Sequence, residues 1–198
     1  MQWATRRGPR ARLLLILAAL GSLLGGYYLG QYWQRRPLSG LSATVYALGE
    51  PLEYPAGLAI GDARPGRIWR LFLVGDTRIE RCSQLVWHYA GVINRLAAWP
   101  AIQQRLRVTL LAYDRPDAAT IDAFAGGIGW AEVISAAPGQ LDALATQLGI
   151  RPTDDDWCGA ERAGAILVAP DQTAWALIPY EQAAIMAHNI KTIITFVE

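Results

Sequence analysis

Ile68 to Cys82 reads IWRLFLVGDTRIERC. Ile68 to Val74 is a short apolar run of strand formers ended by Gly75, the pattern of a buried strand. Past the loop Asp76 to Arg81, apolar residues recur at three-and-four spacing: Leu85, Val86, Tyr89, Val92, Ile93 and Leu96. That spacing predicts a helix running to about Trp99, with Pro100 opening a second short turn through Leu106. Strand, loop and helix together make the opening of a βαβ unit.

The remaining sequence extends this unit. Val108 to Ala112 reads as a second strand, and the polar loop Tyr113 to Asp117 leads into an amphipathic helix with Ile121 and Phe124 on one face. The glycines Gly126, Gly127 and Gly129 stop that helix. Trp130 to Ile134 is a third strand, and Gln140 to Leu148 a helix with Gly149 at its C′ position. Ala165 to Val168 and Thr173 to Ile178 flank Ala169, Pro170, Asp171 and Gln172, a hairpin signal, and a last helix runs from Glu181 to about Ile194. This order predicts an α/β layer with helices on both faces of a sheet. A βαβ unit, a crossover, a β-hairpin and a closing helix are the element order of a thioredoxin-like fold with an insertion.

Toward the amino terminus, Gln34 to Pro65 is rich in Pro and Gly and predicts a tether with short extended pieces. Before it, Leu13 to Gly30 holds 18 residues without a charge; carried on to Trp33, the run has the length that crosses about 30 Å of hydrocarbon. Four arginines precede the run, two follow it, and Tyr27, Tyr28, Tyr32 and Trp33 gather at its far end. The expected organisation is a cytoplasmic basic tail (1–12), a transmembrane helix (13–33), a tether and extended segment (34–65), and a periplasmic domain (66–198). A cleaved signal peptide shares the basic start and apolar core, but no A-x-A site is arranged before Arg35.

The chain has 198 residues, 53% hydrophobic, with a formal net charge of +1. The near-balance hides an asymmetry: the first 37 residues carry six arginines and no acid, leaving 12 basic against 17 acidic side chains from Leu38 onward. An acidic domain is a poor nucleic-acid binder. Hydrolase and nucleotide-binding readings lack their motifs, since there is no G-x-x-x-x-G-K-S/T, G-x-S-x-G or H-E-x-x-H.

The chemistry narrows to two cysteines. Cys82 falls near a helix start with Arg78 and Arg81 close in sequence, a setting that favours a thiolate. No second cysteine lies within a few residues, which excludes a local dithiol motif. Cys158 lies in the loop DDDWCGAER before the hairpin. The pair is open to three readings: a structural Cys82–Cys158 disulfide, a functional thiol pair for redox chemistry or Cu(I), and two unrelated cysteines. His88, six residues after Cys82, is about 240° around the helix from it and reads as a partly buried helix residue. His188 reads as exposed. Asp154, Asp155 and Asp156 read as a solvated run, because calcium ligands alternate along a loop.

Taken in order, WRLFLVGDTRIERC, VTLLAYDRPD, GQLDALATQLGI and GAILVAPDQTAWALI resemble the Sco/SenC family, membrane-anchored thioredoxin-like copper chaperones that help assemble cytochrome c oxidase. The first resembles the family's strand and loop ending in a CxxxC copper motif, the second its strand and V-D-P-x-x-D-type loop. Ile79 stands about where the family's first copper cysteine would be, and Glu161 about where its histidine ligand would be. The resemblance thus implies a degenerate member in the bacterial inner membrane, contacting oxidase subunits or other assembly factors, with no cofactor expected. Copper remains possible if Cys158 joins Cys82 as a second soft ligand, and any catalysis would be thiol-disulfide exchange.

Overall fold

The computed structural model describes residues 9–35, 38, 40–56, 58, 60, 68–125, 129–149, 158 and 164–198. They form two units, divided at Gly40. The first is a single helix, α1 (Pro9–Arg35). Its window Leu13–Gly30 has a mean hydropathy of 1.9 and none of it is buried. By length and composition it is a candidate membrane span.

The second unit is a six-stranded mixed sheet in the order β1-β6-β5-β2-β3-β4. Its strands are β1 (Thr44–Pro51), β2 (Trp69–Gly75), β3 (Leu106–Ala112), β4 (Ala131–Ser135), β5 (Ala165–Val168) and β6 (Thr173–Ile178). The helices are α2 (Glu80–Arg95), α3 (Pro100–Gln103), α4 (Ala118–Ala125), α5 (Pro138–Gln147) and α6 (Ala183–Val197). β2 is buried at every position, as expected of a central strand covered on both faces. It runs parallel to β3 over seven residue pairs, Trp69↔Leu106 to Gly75↔Ala112, and antiparallel to β5. β4 adds in parallel to β3. Phe72, Val74, Leu111, Ile134, Ile166 and Val168 pack against Leu141 and Leu144 of α5 and Leu148 just after it. α2 buries Cys82, Leu85, Val86, Tyr89, Ala90, Val92 and Ile93 and lies against α6 and β3. The Tyr89 hydroxyl donates to the Ile178 carbonyl at 3.0 Å, tying α2 to the end of β6. Gly149, at φ +69°, ends α5 in the left-handed conformation that glycine adopts without steric cost.

The strand, helix and hairpin order read from the sequence is the order observed, with ends shifted by a few residues. The segment read as a tether with short extended pieces contains β1, an eight-residue edge strand antiparallel to β6. Its pairing is interrupted between Val45 and Glu50, where Tyr46 to Gly49 face the single residue Trp175. That irregularity, with Gly49 and Pro51 inside the strand, erases the period-two alternation by which a strand is recognised.

Candidate functional site

The carboxyl end of β2 delivers the chain into the turn 76–79, and two carboxylates hold that turn. Asp76 accepts from the Arg78 backbone N–H (2.8 Å), from Arg78 Nε (3.0 Å) and from Arg78 Nη2 (2.5 Å). Asp114, following β3, accepts from the Thr77 backbone N–H at 3.1 Å and from the Thr77 hydroxyl. The Tyr113 N–H donates to the Gly75 carbonyl at 3.0 Å, so the loops after β2 and β3 are sewn together at the same end of the sheet. The hydrogen bonds from Arg78 hold the Asp76 carboxyl below its ordinary range, outweighing the burial that opposes ionisation. The Arg78 guanidinium is therefore engaged with Asp76, whereas proximity in sequence alone would have assigned it to Cys82.

Ile79 is the N-cap of α2, in extended conformation and with no side-chain cap. Its carbonyl accepts from the Cys82 N–H at 2.9 Å, which places Cys82 in the first helical turn. There it is joined to Cys158: S–S 2.02 Å, Cα–Cα 5.1 Å, across 76 residues of sequence. Both are buried, at 0% and 3% exposure. The bridge rests on Gly75. A Cβ at Gly75 would lie 2.8 Å from each sulfur, closer than real Cβ atoms come, and 3.2 Å from Leu110 Cδ1, a tight contact. In sequence Gly75 reads as the end of the strand and the first residue of the loop to Cys82; its contact with both sulfurs is a property of the fold.

The other candidates lie elsewhere. Half-buried His88 has its Nε2 2.9 Å from the Glu181 carbonyl and its ring 4.4 Å from that of Tyr180, away from the bridge. His188 is exposed. Glu161 and Asp154 to Asp156 lie outside the described residues. Among the described residues no three His, Cys, Asp or Glu side chains form a group that could hold a metal ion. In this oxidised form the two soft sulfurs are bonded to each other and position 79 is an isoleucine, so neither sulfur is offered as a ligand.

No family model matches the chain, and no curated protein matches it. Solved structures do match it in fold. Apo Sco1 from Thermus thermophilus aligns with a TM-score of 0.54 and 16% identity, covering 78% of this chain and 93% of that one. Copper-bound ScoI from Arabidopsis thaliana aligns with a TM-score of 0.54 and 11% identity, covering 66% and 87%. The domain therefore has the thioredoxin-like α/β fold, in the form that Sco proteins share.

Proposed function

We propose that this chain is a membrane-anchored, Sco-like accessory protein that assists assembly of a respiratory cytochrome c oxidase by protein contact. Residues 13–33 anchor it in the bacterial inner membrane, the amino terminus is cytoplasmic, and residues 66–198 lie in the periplasm behind the segment 34–65. The observation that carries this reading is the sealed bridge. A metal carrier must offer its ligands to an incoming ion, whereas here the two soft donors are bonded together and closed off from solvent. The pair then serves the fold, and the partner is recognised by surface.

The second reading, a copper carrier or thiol-disulfide exchange protein using Cys82 and Cys158, draws on the position of Cys82. The first turn of a helix favours a thiolate, so a reduced pair would present two adjacent soft ligands. One experiment separates the two. Cells lacking the gene are complemented with the wild-type chain or with the Cys82→Ser/Cys158→Ser double variant at matched levels, and oxidase activity is measured. Contact predicts that both restore it; a carrier predicts that only the wild type does. No oxidase defect in the deletion would remove the oxidase from both readings.

A further inference from the structure

The helix layer over one face of the sheet carries a charge of its own. From Leu38 onward the chain has 12 basic against 17 acidic side chains, yet the residues from Arg81 to Ala112 hold four arginines and no acid. Arg105 is engaged by Glu198, which accepts from its Nη1 at 2.7 Å and its Nη2 at 2.8 Å. Arg95, exposed at the end of α2, and Lys191 of α6 have no carboxylate partner among the described residues.

The two helices meet at the surface along an aromatic seam that runs past these cations. At one end the His88 ring of α2 lies 4.4 Å from that of Tyr180, just before α6. At the other, Lys191 Nζ sits 4.6 Å over the ring of Trp99, four residues after Arg95. Tyr180 and Trp99 stay 44% and 43% exposed. His88, Gly91 and Arg95 recur at three- and four-residue spacing, which puts them on one side of α2. From His88 to Trp99 the seam is about 16 Å long, the reach of about five extended residues. Gly91 opens a notch at its middle. A glycine inside a helix costs stability relative to alanine, and nothing among the described residues requires this one, since an added Cβ would meet no atom within 4 Å.

We propose that this seam between α2 and α6 binds an acidic peptide segment of a partner protein, with Arg95 and Lys191 pairing its carboxylates and Gly91 admitting its backbone. The inference rests on the reading of a protein that acts by contact and names the surface it uses. Charge complementarity selects the occupant: two cations without carboxylates of their own, beside exposed rings, attract an acidic segment and turn away a basic one. A small anion would reach one cation and leave the rest of the seam open. An anionic bilayer would need a denser basic cluster than these two side chains to hold an acidic domain.

The test uses the full chain in neutral detergent and three fluorescein-labelled peptides of about ten residues. One is rich in Asp and Glu around a central Leu, one has Asn and Gln in their place, and one has Lys and Arg. Fluorescence anisotropy at low salt reads binding. We expect the acidic peptide to bind at least about tenfold more tightly than the other two, and Arg95→Glu/Lys191→Glu to remove that preference. Gly91→Leu, whose melting temperature should not fall, should weaken the acidic peptide by a similar factor. Arg115→Glu, in the loop after β3 and outside the seam, should leave its binding unchanged. Equal binding of the acidic and amide peptides, or an equal loss with Arg115→Glu, overturns the proposal. Complete displacement of the acidic peptide by micelles doped with phosphatidylglycerol also overturns it, because the face would then belong to lipid. The outcome is independent of the oxidase. A deletion without an oxidase defect removes the oxidase and leaves this inference standing, whereas a chain that complements the deletion but binds none of the peptides loses this inference alone.

Discussion

Gly75 and Cys82 stand so close that the glycine's missing side chain is the seat of the disulfide: a Cβ there would come within 2.8 Å of Cys82 Sγ and equally of Cys158 Sγ. The end of the central strand is thus shaped around a bond formed by two residues far from each other in sequence. This fixes how β2, α2 and the segment before β5 are held together.

Removing either cysteine should lower the unfolding free energy by about 4 kcal/mol, the scale expected when a cross-link closes a loop across 76 residues. Urea titration of the intact chain in detergent measures it. Cys82→Ser, Cys158→Ser and the double variant should lose similar amounts, because one bond is removed in each case. A loss below about 1 kcal/mol would mean that the bridge contributes little to stability.

Gly75→Ala should destabilise by about 1–3 kcal/mol, the usual penalty of forcing a methyl into a filled site. Its dependence on the bridge is the sharper readout. In a Cys82→Ala/Cys158→Ala background the sulfurs are gone and the penalty should shrink, a coupling that a double-mutant cycle resolves. An unchanged penalty would show that Leu110, 3.2 Å from the added Cβ, is what resists it.

Asp76 links the turn to acid stability. Its folded carboxyl titrates below the ordinary value of 3.8, chiefly through the hydrogen bonds from Arg78, so its contribution is fully present above that value. The contribution disappears as pH falls through the depressed folded value. Asp76→Asn should therefore weaken the protein only slightly at pH 7, because the Arg78 guanidinium that holds the carboxylate is solvent-exposed and the pair is screened. The wild-type advantage should vanish in strong acid. Thermal melts from pH 7 down to pH 2 on both proteins check the sign.

Ser42 gives a further test, since its hydroxyl donates to Glu181 Oε2 at 2.6 Å and accepts from Asn189 Nδ2 at 2.7 Å. Ser42→Ala removes the acceptor of buried Asn189 and the donor to Glu181. It should destabilise by about 1–3 kcal/mol, the penalty of leaving a buried amide unpaired. Hydrogen exchange at Thr44 and Val45 should speed up while β2 stays protected. Uniform acceleration across the sheet would indicate that β1 does not open separately.

The amphipathic spacing of α2, the apolar runs of β2 and β3 and the hairpin of β5 and β6 were legible because each is a local pattern with its own period. β1 was not legible, since its partner β6 lies more than a hundred residues away and its bulge opposite Trp175 breaks the alternation. The turn after β2 was half legible. Arg78 stood near Cys82 in sequence, but the geometry gives its guanidinium to Asp76. The role of Asp114 depends on β2 and β3 lying side by side, so that Thr77 meets it across the turn.

The sequence by itself determined what depends on composition and short-range order. That covers the charge-free run from Leu13 to Gly30, the acidic balance beyond it, the sequence of strands and helices, and the confinement of soft chemistry to two cysteines. Tertiary structure alone decided that those cysteines meet, that they meet on Gly75, and that Ser42 meets Glu181 and Asn189. The physical reason is that pairing across a sheet is a three-dimensional relation. Backbone hydrogen bonds fix which strands are neighbours, and only then do distant side chains acquire a distance.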